Sequence, residues 1–196
     1  MYKFFLPIIV ILVAIWIIIG LQQQEESVNT NIDNEVNLTE SVEGFELKEI
    51  LFNHKSIMIP AFMDTTSDLH DYAEIQFQSL NDELYLIAIS ESKDSSDIYS
   101  LEEYFKIVAD YFINDVLTDG KSNGPLLKEI NGMNSAQGYI TGNFSTDGGV
   151  FNIYYRLGIY ETEGYYYQVL TWTIGENRDK FEEVMNAMLS SFKEQK

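Results

Sequence analysis

The chain has no cysteine, only two histidines and only three prolines in 196 residues. Without cysteine there is no disulfide scaffold, no thiolate metal site, no cysteine nucleophile and no acylation at an N-terminal cysteine. Positive charge is scarce as well, with 12 Lys and Arg against 31 Asp and Glu for a net charge of −19. Such a surface repels a phosphate backbone, which excludes nucleic acid as the expected partner. Neither histidine sits in a triad or a His-x-x-x-His spacing, and Ser and Asp are too common for their co-occurrence to point to catalysis. What the chain does have is apolar and aromatic side chains, 45% and 14% of the total. That is enough for a folded core, and the length suits one domain with an appendage.

The appendage is N-terminal. Residues 4–21 read FFLPIIVILVAIWIIIGL, without one charged side chain. As a helix this run spans about 27 Å, close to the hydrocarbon thickness of a bilayer. Lipid leaves no other way to satisfy the backbone, and Pro7 falls early enough to be tolerated. The run is apolar all round, unlike the one-sided stripe of a core helix. It exceeds the hydrophobic region of a cleaved signal, and a cut after Gly20 would need a small residue where Ile18 stands. Residues 1–21 are therefore read as an uncleaved transmembrane anchor. Lys3 precedes the run and no Lys or Arg follows before Lys48, which puts the N-terminus in the cytoplasm and the remainder outside, in a periplasm or beyond the cell. Residues 22–43, QQQEESVNTNIDNEVNLTESVE, read as a polar flexible linker of about 25 Å reach.

Residues 44–196 carry the folded domain. Strand patterns occupy 45–52, 55–62, 72–80 and 82–92; in the last, Leu84, Leu86 and Ala88 alternate with Tyr85, Ile87 and Ile89, so both faces are apolar and the strand is central. Ser100 and Glu103 form a capping box that opens an amphipathic helix over 101–117. Thr118-Asp-Gly120 ends it and 122–125 reads as a loop. Strands follow at 126–130, 133–145, 150–161 and 165–174, the first pair joined by Asn131-Gly132, a strong hairpin signal. A closing helix carries Phe181, Val184, Met185, Met188, Leu189 and Phe192 on one stripe. The expected class is α+β: an antiparallel sheet sandwiched by two helices in an α/β/α arrangement, preceded by the transmembrane helix.

Three stretches carry a resemblance: Ile57-Met-Ile-Pro60 before the first hairpin, Ser100-Leu-Glu-Glu-Tyr104 opening the middle helix, and Trp172-Thr-Ile-Gly175 before the last one. Together with the order of elements over residues 45–193, they make the chain resemble the PsbP-like family. That family includes the extrinsic photosystem II subunit, a Ran-binding nuclear import factor and DcrB-type bacterial envelope proteins. The resemblance implies an accessory or binding module without a shared catalytic site, so no catalytic residue carries over. Bacterial members are often anchored through an acylated cysteine, a task that falls here to the apolar helix.

Two constellations remain. The acidic stretch 64–74 offers Asp64, Asp68, His70 and Asp71, oxygen and imidazole donors for a divalent cation. Its sixth position is Leu69 and its twelfth Ile75, so it is no EF-hand, and a solvated acidic loop between strands is the favoured reading. The second is the crowd of tyrosines in the last two strands. Period two puts Tyr165 and Tyr167 on one face, and with Tyr154 and Arg156 they offer contact area for a protein partner. Tyrosine also favours pleated surfaces for structural reasons, and Arg156 has Glu161 and Glu163 nearby as ordinary pairing partners. The function expected is a membrane-anchored, non-enzymatic module that binds another envelope or secreted protein and needs no cofactor. A small-ligand or divalent-cation binder is the alternative, ahead of a hydrolase.

Overall fold

The computed structural model describes residues 38–93 and 99–195. The expected anchor, 1–21, and linker residues 22–37 lie outside them. In chain order the strands are β1 (Leu38–Val42), β2 (Phe45–Phe52), β3 (Lys55–Pro60), β4 (Asp64–Thr65), β5 (Ile75–Ser79) and β6 (Leu84–Ser92). Helix α1 (Leu101–Tyr111) follows, then β7 (Thr118–Ile130), β8 (Met133–Thr146), β9 (Gly149–Glu161) and β10 (Tyr165–Ile174). Helix α2 (Arg178–Ser191) and the short β11 (Lys193–Glu194) close the chain. A seven-stranded sheet runs β4-β5-β6-β10-β9-β8-β7 and a four-stranded one runs β1-β2-β3-β11.

Alternation along β6 and β10 builds two cores on the large sheet. Leu84, Leu86, Tyr167 and Val169 point to one side, where they meet Phe181, Val184, Met185, Met188 and Leu189 of α2 and Ile57 and Ile59 of β3. Tyr85, Ile87, Leu170 and Trp172 point to the other, against Tyr104, Phe105, Val108 and Ala109 of α1. One helix thus lies on each face, and β6 is buried on both sides as its double alternation requires.

Local signals explain the ends of these elements. Both halves of the capping box form: the Glu103 N–H donates to Ser100 Oγ at 3.3 Å and the Ser100 N–H to Glu103 Oε2 at 3.0 Å. The helix then widens into a π turn, Phe112–Val116, and stops at an extended Leu117. Asn131 and Gly132 take φ of 50° and 82°, the left-handed pair that a two-residue hairpin needs. The ring of Phe105 lies on Gly138, where a Cβ would stand 2.5 Å from Phe105 Cζ and 2.3 Å from the Asn123 carbonyl oxygen.

Three expectations are corrected. The strands form two sheets, not one, because the β2–β3 hairpin packs over the α2 side of the large sheet without joining its edge; a hairpin's local signals do not choose its sheet. The helix stop at 118–120 and the loop at 122–125 are instead the first half of β7, their turn-forming residues absorbed as register irregularities between Thr118 and Lys121 and between Asn123 and Leu126. The last residues of the expected 22–43 linker form β1, which pairs with β2 through partners such as Val42 and Phe45.

Candidate functional site

The cross-strand register puts Tyr154, Arg156, Tyr165 and Tyr167 on the α2 side of the large sheet, but in two places. Tyr154 stands opposite Thr173 and Arg156 opposite Thr171, whereas Tyr167 faces Tyr160 towards the other end of the strands. Tyr154 is buried beneath Arg178, whose guanidinium is 4.6 Å from the ring centre, and its hydroxyl donates to Glu182 Oε1 at 2.7 Å. Tyr167 is buried between Lys55 and Phe192 and donates to Glu194 Oε1 at 2.8 Å. Burial, aided by the neighbouring carboxylates, pushes each of these phenols up to about 12. Both are polar anchors of the core and offer a partner no contact area, contrary to the expectation. Tyr165 alone of the three is open, 46% exposed and stacked on Tyr167.

Arg156 does not pair with Glu161 or Glu163. Glu161 accepts from Lys93 at 2.7 Å, while Arg156 lies across from Tyr139 on one side and Thr171 on the other. Its Nε is buried without an acceptor.

The acidic stretch is organised by a neutral amide. Gln76 Oε1 accepts from the N–H groups of Leu69 and His70 at 2.8 and 2.9 Å, and its Nε2 donates to the His70 carbonyl at 2.7 Å. His70 is itself buried, its Nδ1 accepting from the Tyr72 N–H at 3.1 Å. Burial lowers its pKa against the opposing charge of Asp71. Asp64 enters β4 opposite Gln78, and Asp68 and Asp71 are exposed. Among the described residues no three His, Asp or Glu side chains converge to hold a metal ion, so the structure does not gather the four suggested ligands.

A feature that sequence reasoning missed lies at the far end of the large sheet. Helix α2 packs chiefly on β3, β9 and β10, and α1 on β7, β8 and β9. On the α2 side β7 is left open, while on β8 Ser135 and Gln137 are buried and Tyr139 and Thr141 half-buried. Directly opposed residues share a face: Lys121 stands opposite Thr141, Asn123 opposite Tyr139, Leu126 opposite Gln137 and Lys128 opposite Ser135. Tyr139 in turn stands opposite Arg156. Leu126 is 65% exposed, and both lysines are exposed. Asn123 Nδ2 donates to the Tyr139 hydroxyl at 3.0 Å. No local signal marks this floor, because Lys121 and Lys128 straddle a segment that reads as a loop and only the pairing register brings them to Tyr139 and Arg156.

Charge sets this floor apart. Elsewhere Lys55 pairs with Glu74, Lys93 with Glu161, Lys106 with Asp110, Arg178 with Glu182, Lys180 with Asp82 and Lys193 with Glu49, while Lys48 donates to the Met63 carbonyl. Lys121, Lys128 and Arg156 make no ion pair among the described residues.

No protein-family model and no curated protein matches the chain. Solved structures do. LpqN of Mycobacterium tuberculosis, described as involved in cell envelope biogenesis, superposes with a TM-score of 0.52 at 11% identity over 84% of this chain and 94% of that one. Cyanobacterial PsbP (CyanoP) from Synechocystis gives 0.52 at 12% identity over 82% of this chain and 99% of that one. With the antiparallel sheets and a helix on each face, these likenesses identify the fold of the chain as PsbP-like.

Proposed function

We propose that this chain is a membrane-anchored extracytoplasmic accessory module that binds another envelope or secreted protein and catalyses no reaction. The observation that carries the reading is the open end of the large sheet, where Leu126 and Leu127 are 65% and 55% exposed on opposite faces of one edge strand. Neighbouring apolar side chains left in water at a sheet margin are what a protein interface covers. The involvement of LpqN in cell envelope biogenesis is in keeping with it, as is the anchor read from residues 1–21.

The test is photo-crosslinking in native membranes, with the reactive group placed at Leu126 or, as a control, at Lys106 on the outer surface of α1. A protein captured from position 126 and not from 106 is the expected result. Capture of the chain alone, or equal capture from both positions, would overturn the reading. The cation-binding alternative is checked by thermal unfolding with calcium, manganese or zinc. No shift is expected; a ligand at 100 times its dissociation constant would add about 2.7 kcal/mol.

A further inference from the structure

We infer that the open α2-side face of β7, with the half-buried Tyr139 and Arg156 beside it, is a docking site for an acidic, extended polypeptide segment of the partner. The inference rests on the protein-binding reading above and names the chemistry of the occupant. The argument is charge complementarity. In a chain of net charge −19, three of the four Lys and Arg side chains without an ion pair among the described residues, Lys121, Lys128 and Arg156, lie on this one face; the fourth, Lys48, is taken up by the Met63 carbonyl.

Their layout sets the size of the occupant. Lys121 and Lys128 are about 20 Å apart along β7, and Arg156 lies two strands away, about 10 Å. An extended segment of about seven residues covers that span. Between the cations the floor presents Leu126 and Tyr139, so the segment that fits carries apolar side chains among its carboxylates. The Tyr139 hydroxyl accepts from Asn123 and so keeps its proton to donate. Arg156, half-buried between Tyr139 and Thr171, adds positive charge at the inner margin of this face.

Two alternatives fit less well. Addition of a strand to the free edge of β7 is opposed by Pro125, which lacks an N–H, and by the two register irregularities in that strand. A densely anionic bilayer or polymer meets stronger repulsion from the net negative charge than a short segment with few carboxylates does, and offers no apolar side chain to Leu126 and Tyr139.

The test uses the full chain in neutral-lipid nanodiscs and a fluorescent peptide carrying alternating glutamates around a central leucine, read by anisotropy. Saturable binding is expected, with loss of about tenfold in affinity for Lys121→Glu with Lys128→Glu, and a further loss at high salt. The same peptide with glutamines in place of glutamates should not bind. Unchanged affinity in the charge-reversed variant, with its thermal unfolding intact, would overturn the inference. So would equal competition by inorganic polyphosphate, which would show anion attraction alone. The crosslink from position 126 separates the two levels. A partner captured through a segment without Asp or Glu, or capture of residues 22–37 of this chain, overturns the acidic-partner inference; the first of these leaves the protein-binding reading standing. No captured protein removes both.

Discussion

The two ends of the seven-stranded sheet are made of similar strands yet meet different surroundings. Around β6 and β10 both faces are covered, and β10 is buried from Tyr166 to Thr173. Around β7 only Ile130 is buried, and two leucines stand in water. The cause is the supply of cover. Six spacings between seven strands make a sheet about 29 Å wide, whereas a helix is about 10 Å across. On the α2 side the small sheet and α2 together cover β9 and Met133, Ser135 and Gln137 of β8 but leave most of β7 open. What differs is thus not strand quality but how much of the sheet the remaining elements can roof, and the unroofed part is left for something outside the domain.

This contrast has measurable consequences. The largest is expected at the closed end: Phe181→Ala, deep in the α2 core, should cost about 3–5 kcal/mol in urea unfolding. A cost below about 1 kcal/mol would mean that end is loosely packed, and the contrast would fail. Next comes Glu74, which meets the nearly buried Lys55 at 2.9 Å and accepts from Asn53. Burial favours its neutral form, but hydrogen bonds from Lys55 and Asn53 and the charge of Lys55 win, leaving its pKa below the ordinary 4.5. A carboxylate lowered on folding contributes stability that is present above its unfolded pKa and lost as pH falls through the folded one. Stability should therefore drop as pH falls below about 4.5, and Glu74→Gln should flatten that acid limb while costing about 1–3 kcal/mol at pH 7.

A smaller effect is expected from Tyr160→Phe, about 1–2 kcal/mol, because its hydroxyl donates to the Leu189 carbonyl and accepts from Gln137 Nε2. The buried phenols also set the alkaline limit. Tyr85, Tyr154 and Tyr167 are raised to about 12, so the stability they contribute is intact below pH 10 and lost as pH climbs through 12. Spectrophotometric titration should show most tyrosines ionising only as the fold is lost. Smallest of all, Leu126→Asn should change stability by less than about 0.5 kcal/mol. A cost like that of Phe181 would show that the open end is packed after all.

Much of this architecture was legible in the chain. Strong patterns located β2 and β10 to the residue, the capping box fixed the start of α1, and Asn131-Gly132 named its turn. What escaped had no local signature. β4 and β11 have two residues each, too few for a period, and the turn-forming residues of β7 hide a strand that exists because β8 is there to pair with. The candidate site was less legible for the same reason. Period two correctly put Tyr165 and Tyr167 on one face, but that α2 buries Tyr154, and that Glu161 is taken by Lys93, are long-range facts. Lys121, Lys128, Tyr139 and Arg156 come from three strands and meet only through register.

The pairing of β11 with β3 bears on the order in which the molecule can be assembled. Lys193 meets Ser56, the Gln195 side chain reaches Ser56 across a separation of 139 residues, and Asn131 holds the Phe192 carbonyl at 2.8 Å. A ribosome delivers the β2–β3 hairpin early and the α2–β11 segment that roofs it late. In the interval Ile57 and Ile59 have no helix to lie against, and contacts so distant along the chain close slowly. The nascent chain thus carries an unroofed apolar hairpin through most of its synthesis, the kind of surface that chaperones recognise and that aggregates when they are lacking.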